Sequence, residues 1–150
     1  MGMEAIIFVG IQAVGKSTFY QQRLFKTHVR ISLDMLKTRH REDIFLRACI
    51  DAQQSFVVDN TNPTIEERRK YIELARANRF RIIGYYFQSS VADALKRNAF
   101  REDKSRIPDL GILGTFKRLQ LPVYAEGFDE LYFVKIGTAD EFIVSAWDEK

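Results

Sequence analysis

The stretch Gly10-Ile11-Gln12-Ala13-Val14-Gly15-Lys16-Ser17 constrains this chain more than any other. Its spacing is G-x-x-x-x-G-K-[ST], in which the glycines let the backbone wrap tightly and turn successive N–H groups toward an anion. Before it runs Ala5-Ile6-Ile7-Phe8-Val9, a continuous apolar segment of the kind found in a strand buried on both faces. After it, Lys16 to about Phe25 reads as a helix, whose positive N-terminal end adds to the attraction for phosphate. Gly10, Gln12, Ala13, Val14, Gly15, Lys16, Ser17 and Thr18 are therefore expected to bind ATP. Lys16 would reach the β- and γ-phosphates, Ser17 would ligate Mg²⁺, and Thr18 would lie near the α-phosphate.

The rest of the chain alternates in the same manner. His28 to Leu33 reads as a short strand, and Arg41 to about Gln54 as a helix with Ile44, Phe45, Ala48, Cys49 and Ala52 on its apolar face. Ser55-Phe56-Val57-Val58 is another buried strand. Thr64 and Glu67, at capping-box spacing behind Pro63, open the next helix. Phe80 to Phe87 is a strand, Val91 to about Arg101 a helix, and Asp109 to about Leu119 a helix weakened by Gly111 and Gly114. Leu131 to Ile136 is the last expected strand, with Thr138 capping a terminal helix through Trp147. Such alternation predicts an α/β fold of the P-loop NTPase kind: a three-layer α/β/α sandwich, a central parallel sheet of about five strands, and ligands at the carboxyl ends of the strands. One domain over residues 1–150 is expected, with a short helical lid at about residues 97–108.

Composition narrows the class only a little. The hydrophobic fraction of 46% and charged fraction of 29% are those of a globular protein. No apolar run approaches membrane-spanning length. Cys49 is the only cysteine, which excludes an intrachain disulfide and fits a reducing, cytoplasmic setting. The net charge of +3 is mild, but it is unevenly placed. From Glu66 to Arg106 eleven Lys/Arg stand against six acids, a net of +5, which suits an anionic partner such as a nucleic acid or equally a solvated helix face.

Three further groups carry acceptor-side chemistry. Asp34 follows the second expected strand, where a carboxylate can take the proton of an attacking hydroxyl or simply cap a helix. Asp59, at the end of the apolar Ser55–Val58 strand, has the form of a Walker B carboxylate able to reach the Mg²⁺ shell, and Asn60-Thr61-Asn62 adds polar groups at the same edge. Arg97, Arg101, Lys104 and Arg106 form a basic stretch after a helix. An arginine lid of this sort neutralises charge on the equatorial oxygens during phosphoryl transfer. No guanine-reading N-K-x-D motif is present.

Taken in order, Gly10 to Thr18, Ser32-Leu33-Asp34-Met35-Leu36-Lys37, Asp59-Asn60-Thr61-Asn62-Pro63 and Leu95-Lys96-Arg97-Asn98-Ala99-Phe100-Arg101 resemble the motifs of the kinase domain of 5′-hydroxyl polynucleotide kinases. Leu121-Pro122-Val123-Tyr124 is similar to the phage enzymes, and Ala125-Glu126-Gly127-Phe128 to the animal end-healing kinases. The resemblance runs from about Ile6 to Phe133. It implies transfer of the ATP γ-phosphate to the 5′-OH end of DNA or RNA, in nucleic acid repair. Asp34 matches the family's general base and Arg101 its donor-contacting lid arginine, with Arg97 and Arg106 beside it. Lys37, Asn60 and Asn62 would serve the acceptor. At Lys37 the phage enzyme has an arginine, so the charge is kept and the bidentate fork is lost. No D-x-D-x-T phosphatase motif and no ligase segment is present, so 3′-end processing is expected from a separate phosphatase or ligase in the same pathway.

Two other readings remain open on the residues alone. One is a small-molecule kinase of the shikimate, gluconate, adenylylsulfate or toxin kind, which shares loop and lid. The other is a nucleotide-binding regulator without catalysis, which needs Gly15, Lys16 and Ser17 but not Asp34 and Arg101 together.

Overall fold

The computed structural model describes residues 2–101 and 106–148. Six strands form one sheet: β1 (Glu4–Val9), β2 (Val29–Ile31), β3 (Phe56–Val58), β4 (Arg81–Phe87), β5 (Glu130–Ile136) and β6 (Phe142–Ala146). Their order is β2-β3-β1-β4-β5-β6. All neighbours are parallel except β5 and β6, which pair antiparallel from Ile136↔Phe142 to Tyr132↔Ala146.

Alternation along β1 shows why the sheet is covered on both faces. Ala5, Ile7 and Val9 join one core with Ile31, Leu46, Ile50, Tyr71 and Phe128. Ile6 and Phe8 face the other with Phe19, Tyr20, Phe87, Ala94 and Ile112. The first core is closed by helices α3 (Arg39–Ala52) and α4 (Ile65–Ala77), the second by α1 (Lys16–Arg23), α5 (Val91–Ala99) and α6 (Asp109–Arg118). This is the α/β/α sandwich expected from the sequence. A single turn, α2 (Leu33–Leu36), links β2 to α3.

Local caps follow the sequence. Thr38 accepts from Arg41 N at 3.1 Å to start α3. Thr64 accepts from Glu67 N at 3.1 Å to start α4, half of the expected capping box. The Ile65 N–H, in the first turn, is satisfied by Gln120 Oε1 at 2.8 Å.

Two expectations are corrected, and a third falls partly outside the described residues. The terminal helix through Trp147 is the strand β6, which brings the sheet to six strands. Phe142-Ile143-Val144 is aromatic and β-branched, and packing at both ends of the strand decides the outcome: Phe142 sits edge-on to Phe19 at 5.2 Å, and Trp147 packs on Tyr86 at 5.3 Å. On α3, Ile44, Phe45, Ala48 and Ala52 are exposed, and the buried face is Glu42, Leu46, Cys49 and Ile50. A buried acid broke the apolar periodicity there. The expected lid at 97–108 includes residues 102–105, which lie outside the described residues.

β6 also bears on the phosphate loop. Gly15 has φ 92°, and a Cβ added there would lie 3.0 Å from the Phe142 ring. Gly15→Ala is expected to cost about 1–3 kcal/mol of stability, read by urea unfolding, through left-handed strain and displacement of that ring. An unchanged midpoint would show that the contact is not tight.

Candidate active site

The loop between β1 and α1 lies at the carboxyl edge of the sheet, flanked by β3 and β4, at the point where the chain crosses from one side of β1 to the other. It is tied down on several sides. Gly10 N donates to Thr61 O at 3.0 Å, Ile11 N to Ser89 Oγ at 3.2 Å, and Gln12 Nε2 to Thr115 Oγ1 on α6 at 2.9 Å. Arg97 Nη1 on α5 reaches Ala13 O at 3.5 Å. Ala13 has φ 62°, a left-handed residue in the wrap of the loop. Among the described residues no side chain caps α1, so its first N–H groups are left for an anion.

Lys16 is buried and folds back over the loop, donating to Gly10 O at 3.0 Å and Ile11 O at 2.6 Å. Burial lowers its pKa from the usual 10.5 to about 8; Asp59 and Asp34 oppose the shift, and Arg101 adds to it. Among the described residues, Asp34, Asp59 and Arg101, from distant parts of the sequence, all lie within electrostatic reach of Lys16.

Beside Lys16, the exposed Ser17 donates its hydroxyl to Asp59 Oδ2 at 2.9 Å. Asp59 is buried. Arg30, from β2, closes a triangle: Nε donates to Asp59 Oδ2 at 2.7 Å and Nη2 to Ser17 Oγ at 3.0 Å. Hydroxyl and carboxylate oxygens are the hard donors that Mg²⁺ takes, usually with phosphate and water. Sequence reasoning missed Arg30. Its only signal was a charged residue between Val29 and Ile31 in a short edge strand.

Asp34 and Lys37 are exposed at the two ends of α2. Asn60 and Asn62, expected to meet the acceptor, use their amides internally instead. Asn60 Oδ1 accepts from Leu33 N at 2.9 Å and its Nδ2 donates to Glu42 Oε2 at 2.9 Å. Asn62 is buried and donates to Phe8 O at 2.7 Å, locking its loop to β1. Arg97 stands at the phosphate loop and Arg106 is exposed at the start of α6. Thr18 is exposed on α1. A cleft next to Val14 is lined by Gln88, Ser90, Asp93, Arg97 and Ile136.

Much of the basic stretch is spent within the protein. Arg68 is fully buried against Glu126 at 2.8 Å, Lys70 pairs with Glu42 at 2.8 Å, and Arg81 with Glu130 at 2.9 Å. Arg76 donates to Gly127 O. Arg68 is thereby removed from any anion-facing surface, whereas Lys70, Arg76 and Arg81 are paired but remain exposed. Among the described residues no group of three or more His, Cys, Asp or Glu is placed to hold a metal ion, and no helix is long and apolar enough to cross a membrane.

The family described as "AAA domain" matches residues 43–120, which hold Asp59, Arg97 and Arg101. A bifunctional polynucleotide phosphatase/kinase of Schizosaccharomyces pombe is 33% identical over 132 residues, 83% of this chain and 32% of that protein. A putative bifunctional polynucleotide phosphatase/kinase of Acanthamoeba polyphaga mimivirus is 27% identical over 135 residues, 85% of this chain and 32% of that protein. The chain thus spans about a third of the length of these curated relatives. Both support the resemblance carried by the motifs. Among solved structures, Chaetomium thermophilum Kti12 in complex with ADP-AlF3 superimposes with a TM-score of 0.66 at 16% identity, covering 91% of this chain and 92% of that one. That likeness shows the fold.

Proposed function

We propose that this chain, which belongs to the AAA domain family, is an ATP-dependent kinase that phosphorylates the 5′-hydroxyl end of a polynucleotide. The observation that carries the reading is the phosphate loop with Lys16 folded back over it and the Ser17 hydroxyl bonded to Asp59 at the same sheet edge. A regulator needs the loop, Lys16 and Ser17 but has no use for Asp34 and Arg101 together. The polynucleotide acceptor rests on the D-N-T-N motif and on the names of the two relatives.

In this reading the phosphate loop and the open end of α1 hold the donor's phosphates, and Arg97 stands beside the loop. Ser17 and Asp59 would hold Mg²⁺, which neutralises phosphate charge when bound. Asp34 accepts the proton of the 5′-hydroxyl as its oxygen attacks the γ-phosphorus and the β–γ bridge breaks. Lys16 and Arg101 stabilise the spreading negative charge, and Arg106 extends the lid. Lys37, at the end of α2, attracts the acceptor's phosphate. Asn60 and Asn62 hold the shape of the acceptor side. One domain, a cytoplasmic home and a separate phosphatase or ligase belong to the same proposal.

A small-molecule acceptor is the second reading. It is favoured by the burial of Arg68 and by the pairing of Lys70 with Glu42 and Arg81 with Glu130, which offsets part of the positive charge available to a polymer. Salt separates the two. The KM for an oligonucleotide should rise with salt, with a slope of roughly 0.7 per phosphate contact on a single strand. A KM flat with salt would favour the small acceptor.

Lys16 gives the donor side a pH dependence. Below pH about 8 it is an ammonium and binds phosphate; above that it is neutral. Nucleotide affinity, by calorimetry, should hold from pH 7 to 8 and then weaken by about one decade per unit toward pH 10. Stability of the nucleotide-free protein runs the other way. Because the folded pKa is depressed, the unfolded chain binds more protons between about 8 and 10.5, so stability rises with pH across that window. Constant affinity from pH 7 to 10 would remove Lys16 from phosphate binding.

A further inference from the structure

α2 is a single turn of four residues, and one turn has no stability of its own in water. Its N-cap residue, Ser32, is fully buried and makes no side-chain cap; its Oγ has no hydrogen-bond partner among the described residues. The turn is held from outside, by Asn60 Oδ1 accepting from Leu33 N at 2.9 Å. Asn60 can do this only with its amide turned one way. Glu42 sets that orientation, since its Oε2 accepts a hydrogen bond from Asn60 Nδ2 at 2.9 Å.

Glu42 is itself over-determined. It is fully buried on α3, and its Oε1 accepts from Lys70 Nζ at 2.8 Å, Tyr71 OH at 2.8 Å and Arg39 Nη1 at 3.0 Å. Burial pushes its pKa up, but the hydrogen bonds from Lys70, Tyr71 and Asn60 outweigh this and keep the carboxylate ionised. A buried charge held by four partners is a rigid reference point. None of these four partners belongs to the phosphate loop.

We propose that Glu42 is a positioning residue: through the Asn60 amide and the Leu33 N–H it fixes the α2 turn and thereby the place of Asp34 at the acceptor hydroxyl. This rests on the reading of Asp34 as the general base. The chain of contacts runs from carboxylate to amide to backbone N–H, so its polarity is defined at every link. Changing one partner of the link between 42 and 60 breaks it, and exchanging both partners restores it with the polarity reversed.

The experiment is a pairwise swap. Glu42→Gln sets an NH₂ against the NH₂ of Asn60, and Asn60→Asp sets a carboxylate against a carboxylate. In the double variant the amide introduced at position 42 donates to the carboxylate introduced at position 60, which still accepts from Leu33 N. Each single variant should lose kcat by up to about 10²-fold, the penalty of a misplaced catalytic group, with KM for ATP within about twofold. The double variant should recover most of the loss. Amide exchange at Leu33, followed by NMR, should accelerate in the singles and slow again in the double.

Equal loss of kcat and ATP binding in Glu42→Gln would overturn the proposal, as would unchanged kcat once Leu33 is deprotected, or a double variant no better than the singles. If the unaltered protein transfers no phosphate to a 5′-OH oligonucleotide, the acceptor reading fails. The linkage is then judged by the exchange data alone: unchanged Leu33 protection in the singles overturns it.

Discussion

Asp34→Asn is expected to lower phosphoryl transfer by about 10²–10⁴-fold while nucleotide affinity stays within about twofold. Asn keeps the size and the hydrogen-bonding shape of Asp but cannot accept a proton, so the acceptor hydroxyl must attack without a base. Asp34 is exposed, and as part of α2 it is not held in the core. Substitution should therefore leave the fold intact. Its influence on the donor side is electrostatic: it favours the charged form of Lys16. Removing that charge should lower the Lys16 pKa a little further, so the comparison belongs at pH 7, where Lys16 stays protonated. Single-turnover transfer and nucleotide calorimetry on the same preparation separate the two quantities. Loss of both together would mean that Asp34 holds the donor site rather than the acceptor. Loss of neither would leave nucleotide binding without base catalysis.

The second large effect is on stability. Arg68 is fully buried, and its guanidinium donates to both carboxylate oxygens of Glu126, at 2.8 and 2.9 Å, and to Asn62 O at 2.8 Å. Glu126 Oε2 also accepts from Val123 N at 3.0 Å. The pair thus fastens the Tyr124–Glu126 turn to α4 and to the loop that carries Asn60 and Asn62. Arg68→Ala leaves a buried carboxylate with no cation, which costs about 3–5 kcal/mol. For a chain of this size that amounts to a fall in Tm of roughly 6–20 °C. Against a typical total of about 5–15 kcal/mol, the loss approaches the threshold for folding at all. Arg68→Met with Glu126→Leu removes both charges and should recover much of the loss, because an apolar pair of similar volume carries no desolvation penalty. Thermal unfolding of the three proteins checks this. Equal stability of Arg68→Ala and the unaltered chain would show that water reaches the pair.

These two residues also mark what the sequence could and could not say. The position of Asp34 was legible because it is local: an acid just past a strand, at the edge where the phosphate loop lies. The same holds for the positions of Lys16, Ser17 and Asp59, each set by its own strand and turn. Arg68 read as one charge in a basic helix, since its partner lies 58 positions away and no pattern on α4 predicts it. Glu42 was hidden in the same way, and it also broke the apolar spacing that located the face of α3. It shares that face with Leu46, Cys49 and Ile50, so an acid at that spacing was the available signal for a buried, partnered carboxylate.

β6 was missed for a different reason. Thr138 before an acidic pair has the local chemistry of a helix cap, whereas the strand is chosen by long-range packing of Phe142 on Phe19 and Trp147 on Tyr86. The fold was readable because β1, β3 and β4 are buried on both faces and declare it in their composition. What stayed unreadable is whatever depends on pairs far apart in the chain. The proposed acceptor side rests largely on such pairs, through Glu42, Asn60 and Arg68.

Everything proposed for that side turns on the identity of the acceptor, which labelled-phosphate transfer from ATP probes without intermediaries. A 5′-OH oligonucleotide, as DNA and as RNA, is offered beside gluconate, shikimate and a nucleoside, with Mg²⁺ throughout. Label is expected on the oligonucleotide end, absent when that end already carries a phosphate and abolished by Asp34→Asn. Robust transfer to a small hydroxyl compound with none to DNA or RNA ends would contradict a polynucleotide acceptor.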